Sequence, residues 1–207
     1  MQTFDAERAV AHLRGLGGPL ADIIEQVGPF TLEPEVQGFA TLVDAIVSQQ
    51  ISVKAAAAIM NRLVQTVGEL TPPALLAFSP EALRSAGLSN QKARYVLDLA
   101  AKVADGTVSL DTLPQRDDET VIAQLVQVKG IGRWTAEMYL IFALGRPDVL
   151  PVADLGLRQG VQRAYELAAL PGVRTIIAIA DPWRPYRSVA TWYLWRSLGN
   201  TPVVVPS

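Results

Sequence analysis

Apolar positions along this chain recur mostly every three or four residues, the period of one face of an α-helix. That pattern predicts short amphipathic helices over 5–16 and 20–27, parted by the Gly15-Leu16-Gly17-Gly18-Pro19 break. A third helix is expected over 39–48. A fourth, over 52–67, is rich in alanine at Ala55, Ala56, Ala57 and Ala58 and is stopped by Gly68. Thr71 before Pro72, and Ser79 before Pro80 and Glu81, each pair a capping hydroxyl with proline at the first helical position. Ser89 caps a helix reaching 101, and Asp117 or Asp118 one reaching 126. Gly130 and Gly132 interrupt the pattern, which resumes as far as 144. Beyond a loop over 145–151, helices are expected near 155–167, 172–179 and 186–198. Val203, Val204 and Val205 are apolar but short and flanked by prolines, and read as tail. No stretch alternates convincingly as a strand would, so the expected fold class is all-α, with many helices of about ten to fifteen residues.

Composition narrows the chemistry. The chain has 207 residues, 50% of them hydrophobic, enough for one large core or two lobes sharing one. It holds no uninterrupted apolar run of about 20 residues, so no membrane span is expected. The start, Met1-Gln2-Thr3-Phe4-Asp5, lacks the basic and apolar regions of a signal peptide, so a soluble intracellular protein of cytoplasm or nucleoid is expected. The absence of cysteine excludes disulfides, thiolate zinc sites and cysteine-ligated iron–sulfur clusters. The one histidine, His12, lies in an amphipathic segment and reads as a surface or packing residue, which removes most triad and metal chemistry. Catalysis then falls to carboxylates, hydroxyls, lysines or aromatics. A net charge of −2 argues against a polycation that coats nucleic acid. It leaves open DNA binding through backbone amides and helix N-termini.

One segment has the chemistry for such binding. In Val128-Lys129-Gly130-Ile131-Gly132-Arg133-Trp134-Thr135-Ala136, two glycines one residue apart allow a tight turn with no Cβ near an approaching ligand. A helix starts immediately afterwards, so its free N–H groups and positive dipole end make a seat for a phosphate. Carbonyls of the same turn, at Val126, Val128 and Ile131, could hold a monovalent cation such as Na+ or K+. Read alone, Gly-x-Gly is a common link between packed helices. Asp154, between a loop and a helix, reads alone as an N-cap.

The full string resembles the helix-hairpin-helix of the base-excision DNA glycosylases, the HhH-GPD superfamily. Leu150 and Pro151 followed by Asp154, Leu155 and Gln159 look like its 3-methyladenine DNA glycosylase II subfamily. Ile46-Val47-Ser48-Gln49-Gln50-Ile51-Ser52 is similar to that subfamily's Ile-x-x-Gln-Gln-Ile-Ser segment. So are Gly87-Leu88-Ser89 with Lys92, Ala93 and Tyr95, and Trp183-Arg184-Pro185-Tyr186-Arg187-Ser188 with Ala190 and Trp195. The resemblance runs from about 35 to 198.

It implies two helical lobes with a DNA cleft between them: a central lobe over 35–147 ending in the hairpin, and a second over 1–34 plus 148–207 carrying the catalytic aspartate. It implies Asp154 as the carboxylate that stabilises an oxocarbenium-like sugar while the glycosidic bond breaks. Trp134, Trp195, Trp192 and Tyr139 become candidates for stacking on a flipped base, although each could equally be a core aromatic. Gln50 takes the intercalating position, beside Gln49. Ser52, Ser89 and Lys92 become candidate phosphate contacts, with Val128, Lys129, Gly130, Ile131, Gly132, Arg133 and Thr135 of the hairpin segment. Strand-cutting relatives carry lysine where this chain has Trp134, which implies a monofunctional enzyme. The expected partner is damaged duplex DNA, bound by a monomer with no required cofactor. Alkylated purines suit a site with one carboxylate and no histidine acid, because a cationic base departs readily. Two other readings remain: a sister glycosylase for uracil, mismatched thymine or deaminated purine, and a non-catalytic helix-hairpin-helix DNA-binding protein.

Overall fold

Side chains that can hold a free N–H set most of the helix starts. The computed structural model describes residues 4–33 and 38–199. Asp5 accepts the Arg8 N–H and opens α1 (Ala6–Gly15). α2 (Gly18–Val27) begins two residues before the predicted start, because Pro19 occupies its first turn, where no N–H is required. α3 (Phe39–Val47) leads through a short turn into α4 (Val53–Val67), capped by Ser52 and ended at Gly68. Thr71 and Ser79 cap α5 (Pro72–Leu76) and α6 (Pro80–Arg84). These two helices have five residues each, shorter than expected, because the second start signal follows hard on the first. Ser89 caps α7 (Asn90–Ala104), which runs three residues beyond the predicted end. A 3-10 turn over Leu110–Gln115, which apolar periodicity did not mark, precedes α8 (Asp118–Leu125), capped by Asp117. α9 (Arg133–Phe142) follows the glycine turn. α10 (Leu155–Ala164) starts at Asp154, and α11 (Val173–Ala180) and α12 (Arg187–Ser197) follow. The described residues contain no strand, so the all-α expectation holds. Val203, Val204 and Val205 lie outside the described residues.

The chain divides into two compact units. One comprises residues 4–33 with 140–199, the other residues 38–139. The expected boundary near 34 falls outside the described residues. The other boundary lies within α9, between Tyr139 and Leu140, and not after 147; the helix continues across it, so no loop marks the change.

Each unit is built around one helix. In the first, α12 packs against α1, α2 and α10. Its residues from Ser188 to Trp195 are all buried, as expected for a helix covered on every side. In the second, α7 packs against α3, α5 and α6 through buried Ala93, Val96, Leu99 and Ala100. These two helices support the groups described next.

Candidate active site

In the first unit, Asp154 has an extended backbone, as a cap requires, and its Oδ1 accepts the Leu157 N–H at 2.6 Å. The same oxygen accepts the indole N–H of Trp195, from α12, at 2.7 Å. Two donors on one oxygen fix the carboxylate in place. Asp154 is only 9% exposed, so these bonds act with little competition from water. Gly156 makes the arrangement possible: a Cβ there would lie 2.9 Å from the Trp195 ring and 3.2 Å from Asp154 Oδ1. The Trp195 ring stacks on Phe142, with centroids 5.8 Å apart.

The loop leading to Asp154 is tied to the start of α12. Asp148 accepts from the Arg187 guanidinium at 2.7 and 2.9 Å and from Arg184 at 3.1 Å. Ser188 donates its N–H to the Pro147 carbonyl, and its Oγ accepts the Val149 N–H. Thus α12 holds the loop at one end through Arg187 and Ser188, and at the other through Trp195. Nothing in the sequence marked Trp195 as a donor, since the two partners lie 41 residues apart.

In the second unit, Gly130 has φ +87°, and a Cβ on it would lie 2.1 Å from the Tyr95 ring. Only glycine fits this turn. Beside it, the Lys129 N–H donates to Asp98 Oδ2 at 2.8 Å, and the exposed Lys129 ammonium lies 3.7 Å from Asp98 Oδ1. The Ile131 N–H closes the turn on the Val128 carbonyl, and both side chains are buried, so any ligand meets their backbone. Gly132, with open space around its Cβ position, precedes α9. Thr135 is buried one turn into that helix.

The basic side chains here are more engaged than the sequence suggested. Arg133 makes a bidentate pair with Glu119, at 3.0 and 2.5 Å, and a further bond at 3.0 Å to buried Glu137. Those bonds raise its pKa and lower that of Glu119. Lys92 was expected to reach a phosphate; its ammonium instead turns inward and donates to the Val47 and Gln49 carbonyls, both at 2.6 Å. Burial pushes its pKa below the usual lysine value. Gln49 also turns inward, donating its amide to the Gly130 carbonyl at 2.8 Å. Gln50 is exposed, with φ +60°, in the turn between α3 and α4. Ser52 and Ser89 hold the first N–H groups of α4 and α7.

The aromatic candidates separate. Trp134 (46% exposed) and Tyr139 belong to the second unit, and burial pushes the Tyr139 phenol up to about 12. Trp192 and Trp195 belong to the first. Trp192 is a buried core aromatic, edge-on to Phe30 and Tyr193, with the Arg196 guanidinium over its ring at 5.6 Å. Asp98 and the ring of Tyr95 were not anticipated beside the hairpin. Their spacing from Lys92 along one face of α7 was the available signal.

Residues 43–185, more than half of the chain, match the family model described as HhH-GPD superfamily base excision DNA repair protein. The chain belongs to this superfamily. Among HhH-GPD proteins of known structure, it superposes on the Schizosaccharomyces pombe 3-methyladenine DNA glycosylase Mag1, solved in complex with abasic DNA. The TM-score is 0.82 at 30% identity, over 97% of this chain and 99% of that one. A Bacillus halodurans DNA-3-methyladenine glycosidase gives 0.85 at 37% identity, over 96% and 93%. A Bacillus subtilis relative, YfjP, is 32% identical over 187 residues, 86% of this HhH-GPD chain; the match spans 65% of YfjP itself. Among the described residues no helix is long and apolar enough to cross a membrane.

Proposed function

We propose that this protein is a monofunctional DNA glycosylase that flips an alkylated purine, of the 3-methyladenine or 7-methylguanine type, out of duplex DNA and hydrolyses its N-glycosidic bond. The observation that carries this reading is Asp154, buried and held through one oxygen by the α10 backbone and the Trp195 indole. As the C1′–N bond breaks, its electron pair leaves with the base and positive charge grows on the sugar. A fixed, desolvated carboxylate stabilises that charge, and a water then adds to C1′ and gives up a proton. A purine alkylated at N3 or N7 is already cationic and leaves as a neutral base, so the absence of a histidine acid beside Asp154 is no obstacle.

The hairpin holds the DNA backbone on the amides around Gly130 and Gly132. Gln50, exposed in a left-handed conformation, fills the space left by the flipped nucleotide. Trp134 occupies the hairpin position at which strand-cutting relatives carry lysine, and the Lys92 ammonium is committed to the Val47 and Gln49 carbonyls. The reaction requires no cofactor besides water. The carbonyls of Val126, Val128 and Ile131 would hold a sodium or potassium ion, the Val128 oxygen keeping a second lone pair beside the one that accepts the Ile131 N–H. Such an ion would supply positive charge to the hairpin. A single copy suffices for a single lesion, acting inside the cell where the DNA is.

The test is release of methylated bases from alkylated duplex DNA by the wild-type protein and by Asp154→Asn. The wild type should leave abasic sites, and the variant should lose at least about 100-fold in rate, the scale of one electrostatic stabiliser. Borohydride should trap no covalent adduct. Equal, undetectable release by both proteins would leave a DNA-binding module without catalysis, and excision of neutral lesions alone would favour a sister glycosylase.

A further inference from the structure

Lys92, Tyr95 and Asp98 recur every three residues and share one face of α7. All three touch segments assigned above to DNA. The Lys92 ammonium donates to the carbonyls of Val47, the last residue of α3, and Gln49, in the turn that presents Gln50. This places a cation at the negative end of the α3 dipole. The Tyr95 ring fills the space beside Gly130 that a side chain would need. Asp98 accepts the Lys129 N–H at the hairpin's entrance. A fourth bond closes the circuit, from the Gln49 amide to the Gly130 carbonyl. Gln49 is therefore held at both ends, its carbonyl by Lys92 and its amide by the hairpin. Its neighbour Gln50 sits at φ +60°, a conformation that a residue bearing a side chain keeps only when its surroundings impose it.

We infer that Lys92 is a positioning residue for base flipping: with Tyr95 and Asp98 it makes α7 a gauge that sets the Gln50 turn in register with the phosphate-binding hairpin. The inference rests on the glycosylase reading. It goes beyond it in assigning the preference for a lesion, over intact DNA, to a lysine that touches no DNA. With the gauge intact, Gln50 is pre-ordered and enters the stack without a further ordering cost. When Lys92 is removed, the α3–α4 turn samples other conformations and the wedge is out of place for most encounters.

The experiment measures Kd by fluorescence anisotropy for two duplexes, one intact and one with a tetrahydrofuran abasic-site analogue. The proteins are wild type, Gln50→Ala, Lys92→Met, Lys92→Arg and the Gln50→Ala/Lys92→Met double variant, each checked for cooperative unfolding. The readout is the ratio of the two Kd values. We expect Lys92→Met to reduce the wild-type ratio about 10-fold, Lys92→Arg to recover most of it, and the double variant to match Gln50→Ala alone. A 2-aminopurine beside the analogue should lose its unstacking signal in Lys92→Met and keep it in Lys92→Arg. Gln49→Leu, which removes only the bond to Gly130, is a second route to the same ratio and carries the test if Lys92→Met does not fold. A ratio within two-fold of wild type in either folded variant overturns the inference, as does an additive double variant. Wild-type protein that shows no preference for the analogue defeats the glycosylase reading itself, a separate result.

Discussion

At the scale of single residues, the informative atom is Asp154 Oδ1, where a backbone N–H and an indole N–H converge. The cap was legible in the sequence, because a loop aspartate before an apolar helix is an N-cap signal. The indole bond was not. Trp195 was read as a stacking platform, and no spacing rule connects it to a residue 41 positions away. A hydrogen bond to a charged group contributes about 1.5–3 kcal/mol net. If that contribution is felt in the transition state, Trp195→Phe, which keeps the ring against Phe142 but removes the N–H, should slow base release by about 10- to 100-fold. Single-turnover excision with enzyme in excess measures this, and the thermal midpoint separates it from loss of fold. An unchanged rate would mean that the backbone cap alone fixes the carboxylate.

At the scale of elements, the helix starts were the best-read feature, because Thr71, Ser79, Ser89, Asp117 and Asp154 hold N–H groups where the sequence suggested. Ends and short pieces were read less well. The 3-10 turn over Leu110–Gln115 buries one apolar side chain, Leu113, and so leaves no periodic trace. The hairpin was legible as a glycine turn, but its two glycines have different tasks that composition does not separate. Gly130 is required by φ +87° and by the Tyr95 ring, whereas Gly132 has no atom within 4 Å of its Cβ position. Gly130→Ala should therefore cost stability, about 2 kcal/mol or more from strain and overpacking together. Gly132→Ala should stay within about 0.5 kcal/mol of wild type, as ordinary surface changes do. On the proposed hairpin contact it should still weaken DNA binding, because the added methyl would stand in the phosphate's expected path. Chemical denaturation and an anisotropy titration on both variants test the pair. Equal stability losses would show that the turn tolerates neither change, and unchanged DNA affinity in Gly132→Ala would place the phosphate elsewhere.

At the scale of the whole molecule, the ordered run of motif segments made the superfamily legible, and the match over 43–185 agrees with it. The basic contacts were less so: charge is visible in a sequence, but its partners are not. Lys92 is spent on carbonyls, and Arg133 on Glu119 and Glu137. Lys129, with 74% of its side chain exposed and a distant Asp98 partner, is the cation at the hairpin best placed to meet DNA. The chain as a whole carries a net charge of −2. Binding that rests on amides and few cations releases few counterions, since each neutralised phosphate contributes about −0.9 to the slope of log K against log salt. The slope for this protein on a duplex should accordingly lie between about −2 and −4, and Lys129→Met should reduce its magnitude by about 1. Anisotropy titrations from about 50 to 300 mM KCl cover the range in which such slopes are read. A slope steeper than about −6 would require cations that these contacts do not supply. In that case several further cations would have to engage on binding, and if Arg133 is one of them, Glu119→Gln, which loosens its guanidinium beforehand, should tighten binding at low salt.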